Sequence, residues 1–170
     1  MEEGTKLLSR QFEILQTLGK GAFSKVKLAR WITKDTLVAI KIHKDIEKVD
    51  AESLKREIEV LASVQHRNII KLYSCQPQSL IEKKVGSNWE PHRTVYCTVV
   101  LELASGCELQ QYIEVEKSFG ESVSKFIFKE FMTGLSFLHE NDIAHRDLKP
   151  ANILFDQEHT LKIADFGFVA

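Results

Sequence analysis

The sequence predicts an α+β fold, in which a five-stranded antiparallel sheet with one packed helix comes first and a mainly helical part follows. The first 45 residues form short β-rich runs, partly alternating between apolar and polar side chains and divided by turn residues, as strands do. Residues 50–65 switch to helical spacing, and residues 108–115 and 121–140 have helical spacing as well. Strands that precede a block of helices are typical of α+β architecture.

Three of the predicted strands lie at the start of the chain, at residues 12–18, 25–31 and 36–42. The turn Gly19-Lys20-Gly21 separates the first two and Asp35 lies between the second and third, so we expect an antiparallel meander. The other two predicted strands are residues 68–74 and 94–103. The polar connection between them, residues 76–93, is longer than a hairpin turn usually is. It indicates either a surface insertion or an error in the gene model.

Helical spacing predicts a helix over residues 50–65, with Asp50 as its N-cap. Its apolar stripe consists of Leu54, Ile58, Leu61 and Val64. Glu57 lies on this stripe, where a carboxylate is costly unless it finds a partner. Two interpretations therefore remain open for Glu57: it reaches solvent at the edge of the stripe, or it pairs with a cation.

The remaining elements are two helices, at residues 108–115 and 121–140, and two short strands, at 152–155 and 160–164. The apolar residues of the second helix cover more than one narrow stripe, so we expect it to be buried on at least two sides.

Composition excludes several classes of function. The 170-residue chain is 44% hydrophobic and 28% charged, which is globular composition. Its net charge of -1 argues against partners such as nucleic acid or a membrane surface. Three cysteines without metal-ligand spacing indicate reduced thiols. We therefore expect a cytoplasmic protein, with a nuclear location as the alternative.

The run Gly19-x-Gly21-x-x-Ser24-x-Val26 lies between two predicted strands, where glycines let a backbone approach phosphate oxygens closely. Two glycines in a hairpin are also an ordinary turn, so this pattern alone is weak. Lys41 follows in an apolar strand. It is either a solvent-facing lysine on an edge strand, or an ammonium that contacts phosphates and is held by Glu57. Because each of the two buried charges would explain the other, the ion pair is the favoured interpretation.

The most specific pattern is His145-Arg146-Asp147-Leu148-Lys149-Pro150-Ala151-Asn152, followed by Asp165-Phe166-Gly167. Phosphoryl transfer needs a carboxylate that orients a hydroxyl, oxygen ligands for Mg²⁺ and a positive charge near the transferred group. Asp147 is suited to the first task and Lys149 to the last. Asn152 and Asp165 offer the oxygen donors that magnesium prefers.

These motifs resemble the N-terminal part of a eukaryotic protein kinase, from about Phe12 to the last residue. Lysine at Lys149, within H-R-D-L-K-P-x-N, is similar to the serine/threonine type. The resemblance implies a kinase domain over residues 1–170 that is incomplete at its C-terminus. Its first lobe would span about 12–101, its hinge 102–106 and its partial second lobe 107–170.

The resemblance also implies ATP and Mg²⁺ as cofactors and a role for each matching residue. Asp147 would be the catalytic base, Lys149 the contact to the γ-phosphate, and Asn152 and Asp165 the metal ligands. Lys41, paired with Glu57, would hold the α- and β-phosphates. The implied nucleotide-contacting set is Leu18, Gly19, Lys20, Gly21, Ala22, Phe23, Ser24, Val26, Ala39, Lys41, Glu57, Leu101, Glu102, Ala104, Glu108 and Leu154.

Within that set, the resemblance makes Leu101 the gatekeeper and Glu108 the contact to the ribose. The carbonyl of Glu102 and the N–H of Ala104 would read the adenine edge. The side chains expected to stack as a regulatory spine are Leu61, Leu72, His145 and Phe166.

The implied partners are a protein substrate with a serine or threonine acceptor and an upstream activating kinase, since Arg146 suggests control by phosphorylation. The chain ends at Ala170, shortly after the second motif, so we expect a fragment whose own activity is doubtful. The alternatives are a nucleotide-binding regulatory module derived from a kinase, without catalytic competence, and a small-molecule kinase with a similar core.

Overall fold

The structure, a computed structural model, describes residues 6–21, 24–43, 51–85 and 88–170. The chain forms two compact units, Met1–Ala51 with Leu72–Leu103 and Glu52–Lys71 with Ala104–Ala170. Strands dominate the first unit and helices dominate the second. The predicted α+β class is therefore confirmed.

The first unit is an antiparallel sheet in the order β1-β2-β3-β4-β6-β5. Its strands are β1 (Lys6–Leu8), β2 (Phe12–Lys20), β3 (Ser24–Trp31), β4 (Thr36–His43), β5 (Leu72–Val85) and β6 (Asn88–Glu102). All five predicted strands are present, the fourth beginning at Leu72 rather than residue 68. The additional strand β1 pairs with both β2 and β5, so it closes the sheet on itself. Three residues are too few for an alternating pattern, which is why the sequence did not predict β1.

The polar stretch 76–93 is not a long surface connection, so that expectation is wrong. It lengthens β5 and β6 into one hairpin, in which Glu82 lies opposite Pro91 and Val85 opposite Asn88. Strands pair through backbone groups, which polar side chains do not prevent. Strand β4 pairs with β6 over Cys97–Glu102, so Pro91 lies in a part of β6 that has β5 as its neighbour. Proline is tolerated in such edge segments.

A cluster of buried apolar side chains, here called the core, lies on one face of the sheet of the first unit, because side chains alternate along each strand. On β4, Val38, Ile40 and Ile42 all point into this core. The other core residues are Leu8, Phe12, Ala29 and Val100. The intervening residues of β4, including Lys41, therefore lie on the opposite face of the sheet.

The second unit contains α1 (Ala51–Ser63), α2 (Leu109–Glu116), α3 (Glu121–Glu140), a 3₁₀ turn (Pro150–Asn152) and the hairpin β7 (Ile153–Phe155) with β8 (Leu161–Ile163). The bounds of α3 are those predicted. Helix α1 belongs to this unit, whereas the predicted lobe boundaries assign it to the first lobe; those boundaries stay a prediction. The predicted N-cap Asp50 lies outside the described residues. Among the described residues, no helix is long and apolar enough to cross a membrane.

Helix α3 is buried on one side only, contrary to the expected two. Leu138 is fully buried, whereas Phe126 is 51% and Phe128 is 63% exposed. More than half of the surface of each of these two aromatic side chains is therefore in solvent. The second apolar stripe of the sequence pattern is therefore a surface in this structure.

The buried side of α3 packs closely at Gly134. A methyl group there would lie 2.9 Å from the Asn68 Cβ and 3.0 Å from the Ile163 Cδ1. The same contact region is held by Asn68, whose side-chain Nδ2 donates to Glu130 Oε2 at 2.8 Å and to the carbonyl of Leu161 at 2.9 Å. Glycine is thus required where the helix meets β8.

We predict that Gly134→Ala lowers the free energy of unfolding of the chain. Overpacking a core costs about 1–3 kcal/mol, and the gain in helix propensity of about 1 kcal/mol offsets part of it. Denaturant unfolding with an unchanged slope checks this, with the exposed Ser124→Ala on the same helix as control. A Gly134→Ala chain as stable as the control would contradict the close contact.

Candidate active site

The most specific sequence motif forms a loop between α3 and β7. Pro150 opens the 3₁₀ turn of this loop, where its fixed φ angle and missing N–H are tolerated. The turn ends at Asn152, whose backbone N–H donates to the carbonyl of Lys149 at 2.9 Å. The chain then enters β7, so the loop is held at one end by a helix and at the other by a hairpin.

Asn152 connects the two sequence motifs of the candidate site. Its side-chain Nδ2 donates to the backbone carbonyl of Asp147 at 2.8 Å and to Asp147 Oδ2 at 3.0 Å. Its own carbonyl accepts the backbone N–H of Ala164 at 2.9 Å. Asn152, which is buried, thus fixes the Asp147 carboxylate. It also holds the residue before Asp165 through its backbone carbonyl.

Lys149 is the second partner of the Asp147 carboxylate. Its Nζ lies 2.7 Å from Asp147 Oδ2. This hydrogen bond holds the pKa of Asp147 below its ordinary value of 3.8, and the Asn152 amide acts in the same direction. The same hydrogen bond raises the pKa of Lys149, with a further contribution from the charge of Asp165. Both groups are therefore charged at neutral pH, as the predicted roles require.

Both ring nitrogens of His145 lie within hydrogen-bond distance of backbone groups and so hold the loop in place. The backbone N–H of Asp147 donates to Nδ1 at 3.3 Å, and Nε2 lies 3.0 Å from the carbonyl of Ala164. Because Nδ1 accepts and Nε2 faces a carbonyl, this geometry assigns the proton to Nε2. The ring packs on Phe166, with 4.8 Å between ring centroids. Two of the four residues predicted to stack as a spine are therefore in contact.

Arg146 and Asp165, both within the predicted motifs, have left-handed backbone, with φ of 63° at Arg146 and 61° at Asp165. Such angles are uncommon outside glycine and cluster at functional sites. The Arg146 guanidinium donates to the carbonyls of Phe168 and Val169, and Ala144 and Ala170 exchange two backbone hydrogen bonds. The segment after Asp165 is thereby tied back to the loop. In this structure Arg146 binds backbone carbonyls, and its predicted link to phosphorylation stays a prediction.

Glu57 is buried, with 3% of its surface exposed, so the interpretation that it reaches solvent is wrong. Its Oε2 lies 4.0 Å from the point where a Cβ would stand on Gly167, and Asp165 Oδ1 lies 3.6 Å from that point. Glu57 therefore lies beside the second motif, a position that helical spacing could not reveal. Its pairing with Lys41 stays a prediction.

In the first unit, the predicted nucleotide contacts share one face of the sheet. Val26 on β3 lies opposite Lys41 on β4, and Leu101 on β6 lies opposite Ala39. Opposed residues of paired strands have their side chains on the same face, so these four face away from the core. Lys41 lies on a strand paired on both sides and is half-buried, which excludes the edge-strand interpretation.

The glycine turn is described in part. Leu18, Gly19 and Lys20 lie on β2, and the N–H of Gly21 donates to the carbonyl of Ser24 at 2.9 Å. Ala22 and Phe23 lie outside the described residues, so their predicted contacts stay predictions.

The segment after the predicted hinge pairs with β7. Glu108 forms an antiparallel bridge with Leu154, so these two predicted contact residues are neighbours. Glu102 ends β6, and Ala104 begins the second part of the second unit. The sequence did not predict the close approach of Gly106 to Phe155: its N–H donates to the carbonyl of Phe155 at 2.7 Å, and a Cβ there would lie 2.6 Å from that oxygen. A glycine as the last residue of the predicted hinge was the available signal.

The donor set suits a hard cation. Asn152 turns its nitrogen toward Asp147, so its Oδ1 is the atom that would ligate a cation, and Asp165 would contribute a carboxylate. In the described part of the chain, no group of three or more acidic, histidine or cysteine side chains forms a metal cage. Mg²⁺ is commonly held by one or two protein oxygens together with substrate phosphates, and this pair fits such a site.

We predict that Lys149→Met raises the pKa of Asp147 toward its ordinary value, because the strongest hydrogen bond to the carboxylate is lost. The carboxyl ¹³C titration of Asp147 measures this shift, and Lys125→Met on α3 is the control. Since the folded-state pKa is lowered, the stabilisation from this pair exists above the ordinary pKa and is lost as pH falls through the lowered one. An unchanged pKa in Lys149→Met would contradict the ion pair.

Comparison with known proteins agrees with this geometry. The protein kinase domain family matches residues 12–170. The chain is 35% identical to maternal embryonic leucine zipper kinase of Danio rerio, over 99% of this chain and 23% of that kinase. It is also 35% identical to CBL-interacting serine/threonine-protein kinase 7 of Arabidopsis thaliana, over 97% of this chain and 36% of that kinase.

A third relative is CBL-interacting protein kinase 26 of Oryza sativa subsp. japonica, which is 36% identical over 100% of this chain and 32% of that kinase. The chain thus spans between 23% and 36% of the length of these three relatives. The family match covers nearly the whole chain and includes every motif described above. The chain therefore belongs to the protein kinase family.

Proposed function

We propose that this chain carries the catalytic centre of a serine/threonine protein kinase that transfers the γ-phosphoryl group of Mg-ATP to a protein hydroxyl. The single observation that carries the proposal is the arrangement of Asn152, whose amide holds the Asp147 carboxylate and whose carbonyl holds the chain before Asp165. A base and two metal donors are thereby joined through one buried residue. A polar loop without a catalytic role would not require these three groups to be connected.

Asp147 accepts a hydrogen bond from the attacking hydroxyl and takes its proton as the bond to phosphorus forms. Because its pKa is held low, Asp147 is a weak base before the reaction and acts first by orienting the hydroxyl. Lys149, which is cationic beside it, offsets negative charge on the transferred group. Bound Mg-ATP supplies the phosphoryl group. Asn152 and Asp165 would hold the metal through oxygen atoms.

The sheet face that carries Lys41, opposite the core of the first unit, supports the nucleotide-binding part of the proposal. Val26, Ala39 and Leu101 provide an apolar surface for the adenine, and Lys41 on the same face contacts the α- and β-phosphates. Lysine on a strand paired on both sides has its backbone fixed, which favours a defined position of its amine. Glu57, buried beside Gly167, is the proposed partner of Lys41.

The serine/threonine class rests on Lys149 within the predicted catalytic loop and on the similarity to a relative that is a serine/threonine-protein kinase. The proposed partners are a protein with a serine or threonine acceptor and an upstream activating kinase. The odd and sparse cysteine count supports a cytoplasmic location as part of the proposal, with a nuclear location as the alternative.

We predict that Asp147→Asn lowers phosphoryl transfer from Mg-ATP to a mixed serine and threonine peptide library by roughly 10²–10⁴-fold, the usual contribution of a general base. Nucleotide affinity stays within a small factor, since Asn keeps the shape of the side chain. Transfer of ³²P to peptide and calorimetric titration with Mg-ATP measure the two quantities.

Asp142→Asn is the matched control, because it makes the same substitution near the loop at an exposed position where asparagine tolerates the φ of 58°. Mg-ATP binding without transfer by the unmodified chain would favour the regulatory-module alternative. Transfer to small metabolites but not to peptides would favour the small-molecule kinase. Transfer that Asp147→Asn leaves intact would overturn the proposed role of Asp147.

A further inference from the structure

Two cysteines lie on one face of the sheet in neighbouring strands. Cys75 on β5 lies opposite Val99 on β6, and Cys97 lies two residues before Val99. Because side chains alternate along a strand, Cys97, Val99 and Cys75 share a face. The two thiols are therefore diagonal neighbours across the pair of strands.

The two thiols differ in burial, and this difference indicates which of them reacts first with an oxidant. Cys97 is buried, with 6% of its surface exposed, and lies opposite His43 on β4. Cys75 is half-buried and can be reached from solvent. The thiol of Cys97 donates a hydrogen bond to Cys75, which lowers the pKa of Cys75 from 9.0 to about 7, while partial burial opposes this shift.

We propose that Cys75 and Cys97 form a redox-sensitive thiol pair, in which hydrogen peroxide oxidises Cys75 and Cys97 resolves the product into a disulfide between β5 and β6. In the first step the Cys75 thiolate attacks one peroxide oxygen, the O–O bond breaks, and sulfenic acid and water form after proton transfer. In the second step the Cys97 sulfur attacks the Cys75 sulfur and expels hydroxide, which leaves as water with the Cys97 proton. Peroxide is reduced and the two thiols are oxidised by two electrons in total.

The order of events follows from exposure and ionisation. Redox-sensor cysteines are accessible, have lowered pKa values and stand beside a resolving cysteine, and Cys75 meets all three conditions. At pH 7 a thiol with a pKa near 7 is about half thiolate, against about 1% at a pKa of 9.0. Lower basicity costs about tenfold in nucleophilicity, so the net gain in rate is roughly fivefold over an ordinary thiol.

The register makes the disulfide a reversible one. Diagonal neighbours in an antiparallel pair lie about 7–8 Å apart, whereas disulfides join Cα atoms about 4.4–6.8 Å apart. A disulfide across this diagonal spacing is strained, and a strained disulfide is easier to reduce. A bulge between Gln76 and Ser79 lies opposite Cys97 and provides the place where β5 can adjust.

The pair also lies on the face proposed to meet the nucleotide, since Val99 lies between Cys75 on β5 and Lys41 on β4 in the ladder. A movement of β5 relative to β6 therefore also acts on β6, which is the strand that pairs with β4 at Lys41. If the proposed function is correct, the oxidised chain binds Mg-ATP more weakly than the reduced chain. This consequence rests on the proposed function, whereas the thiol chemistry itself does not.

The test treats the whole reduced chain with hydrogen peroxide at pH 7 and maps cysteine products by mass spectrometry without reduction. We expect a Cys75–Cys97 peptide that has lost two hydrogen atoms and that dithiothreitol restores. In Cys97→Ser, and in Cys97→Ala should the first variant not fold, dimedone traps sulfenic acid on Cys75. Cys107→Ser is the matched control, because it removes an exposed thiol outside the pair and leaves the disulfide yield unchanged.

Oxidation of Cys107 before Cys75, or sulfenic acid that persists on Cys75 while Cys97 is present, would overturn the proposal. Calorimetric titration of the reduced and oxidised chain with Mg-ATP is the second readout. A disulfide that forms in a chain without Mg-ATP affinity would support the thiol pair and contradict the proposed function. Mg-ATP binding by a chain that forms no disulfide would support the proposed function and contradict the thiol pair. The failure of either proposal can therefore be told from the failure of the other.

Discussion

The site depends on a single buried amide. Asn152 donates twice to Asp147 and accepts from Ala164, so three stretches of chain meet at one side chain and its peptide. These hydrogen bonds are buried at Asn152, where an unsatisfied polar group is expensive. The left-handed backbone at Arg146 and Asp165 persists because the surrounding bonds over-determine it. Loop, hairpin and the segment before Asp165 are consequently joined by hydrogen bonds into one arrangement rather than three separate motifs.

A second constraint comes from the alternation of side chains in the closed sheet. Val38, Ile40 and Ile42 point into the core of the first unit. Lys41 and its cross-strand neighbours therefore lie on the other face of the sheet. The same alternation sends Cys75 and Cys97 to that face. The proposed nucleotide contacts and the proposed thiol pair are thus two consequences of one register.

Much of the fold follows from local pattern: α3 has its predicted bounds because long helical periodicity and terminal residues agree. The sequence could not show that residues 76–93 continue a hairpin, since backbone pairing leaves no apolar alternation in polar strands. It could not show β1, which is three residues long and stable only between two partners. Likewise, the burial of Glu57 beside Gly167 and the close approach of Gly106 to Phe155 are tertiary contacts, set by which segments meet rather than by spacing along either one.

The most direct test of the account replaces magnesium with manganese in the nucleotide complex and follows paramagnetic broadening of backbone amide signals in ¹⁵N spectra. If Asn152 and Asp165 hold the metal, their amide signals broaden most strongly among those of the second unit, and Asp165→Ala abolishes the effect at Asn152. Broadening centred elsewhere, with the Asn152 and Asp165 signals unchanged, would contradict the central role given to this amide.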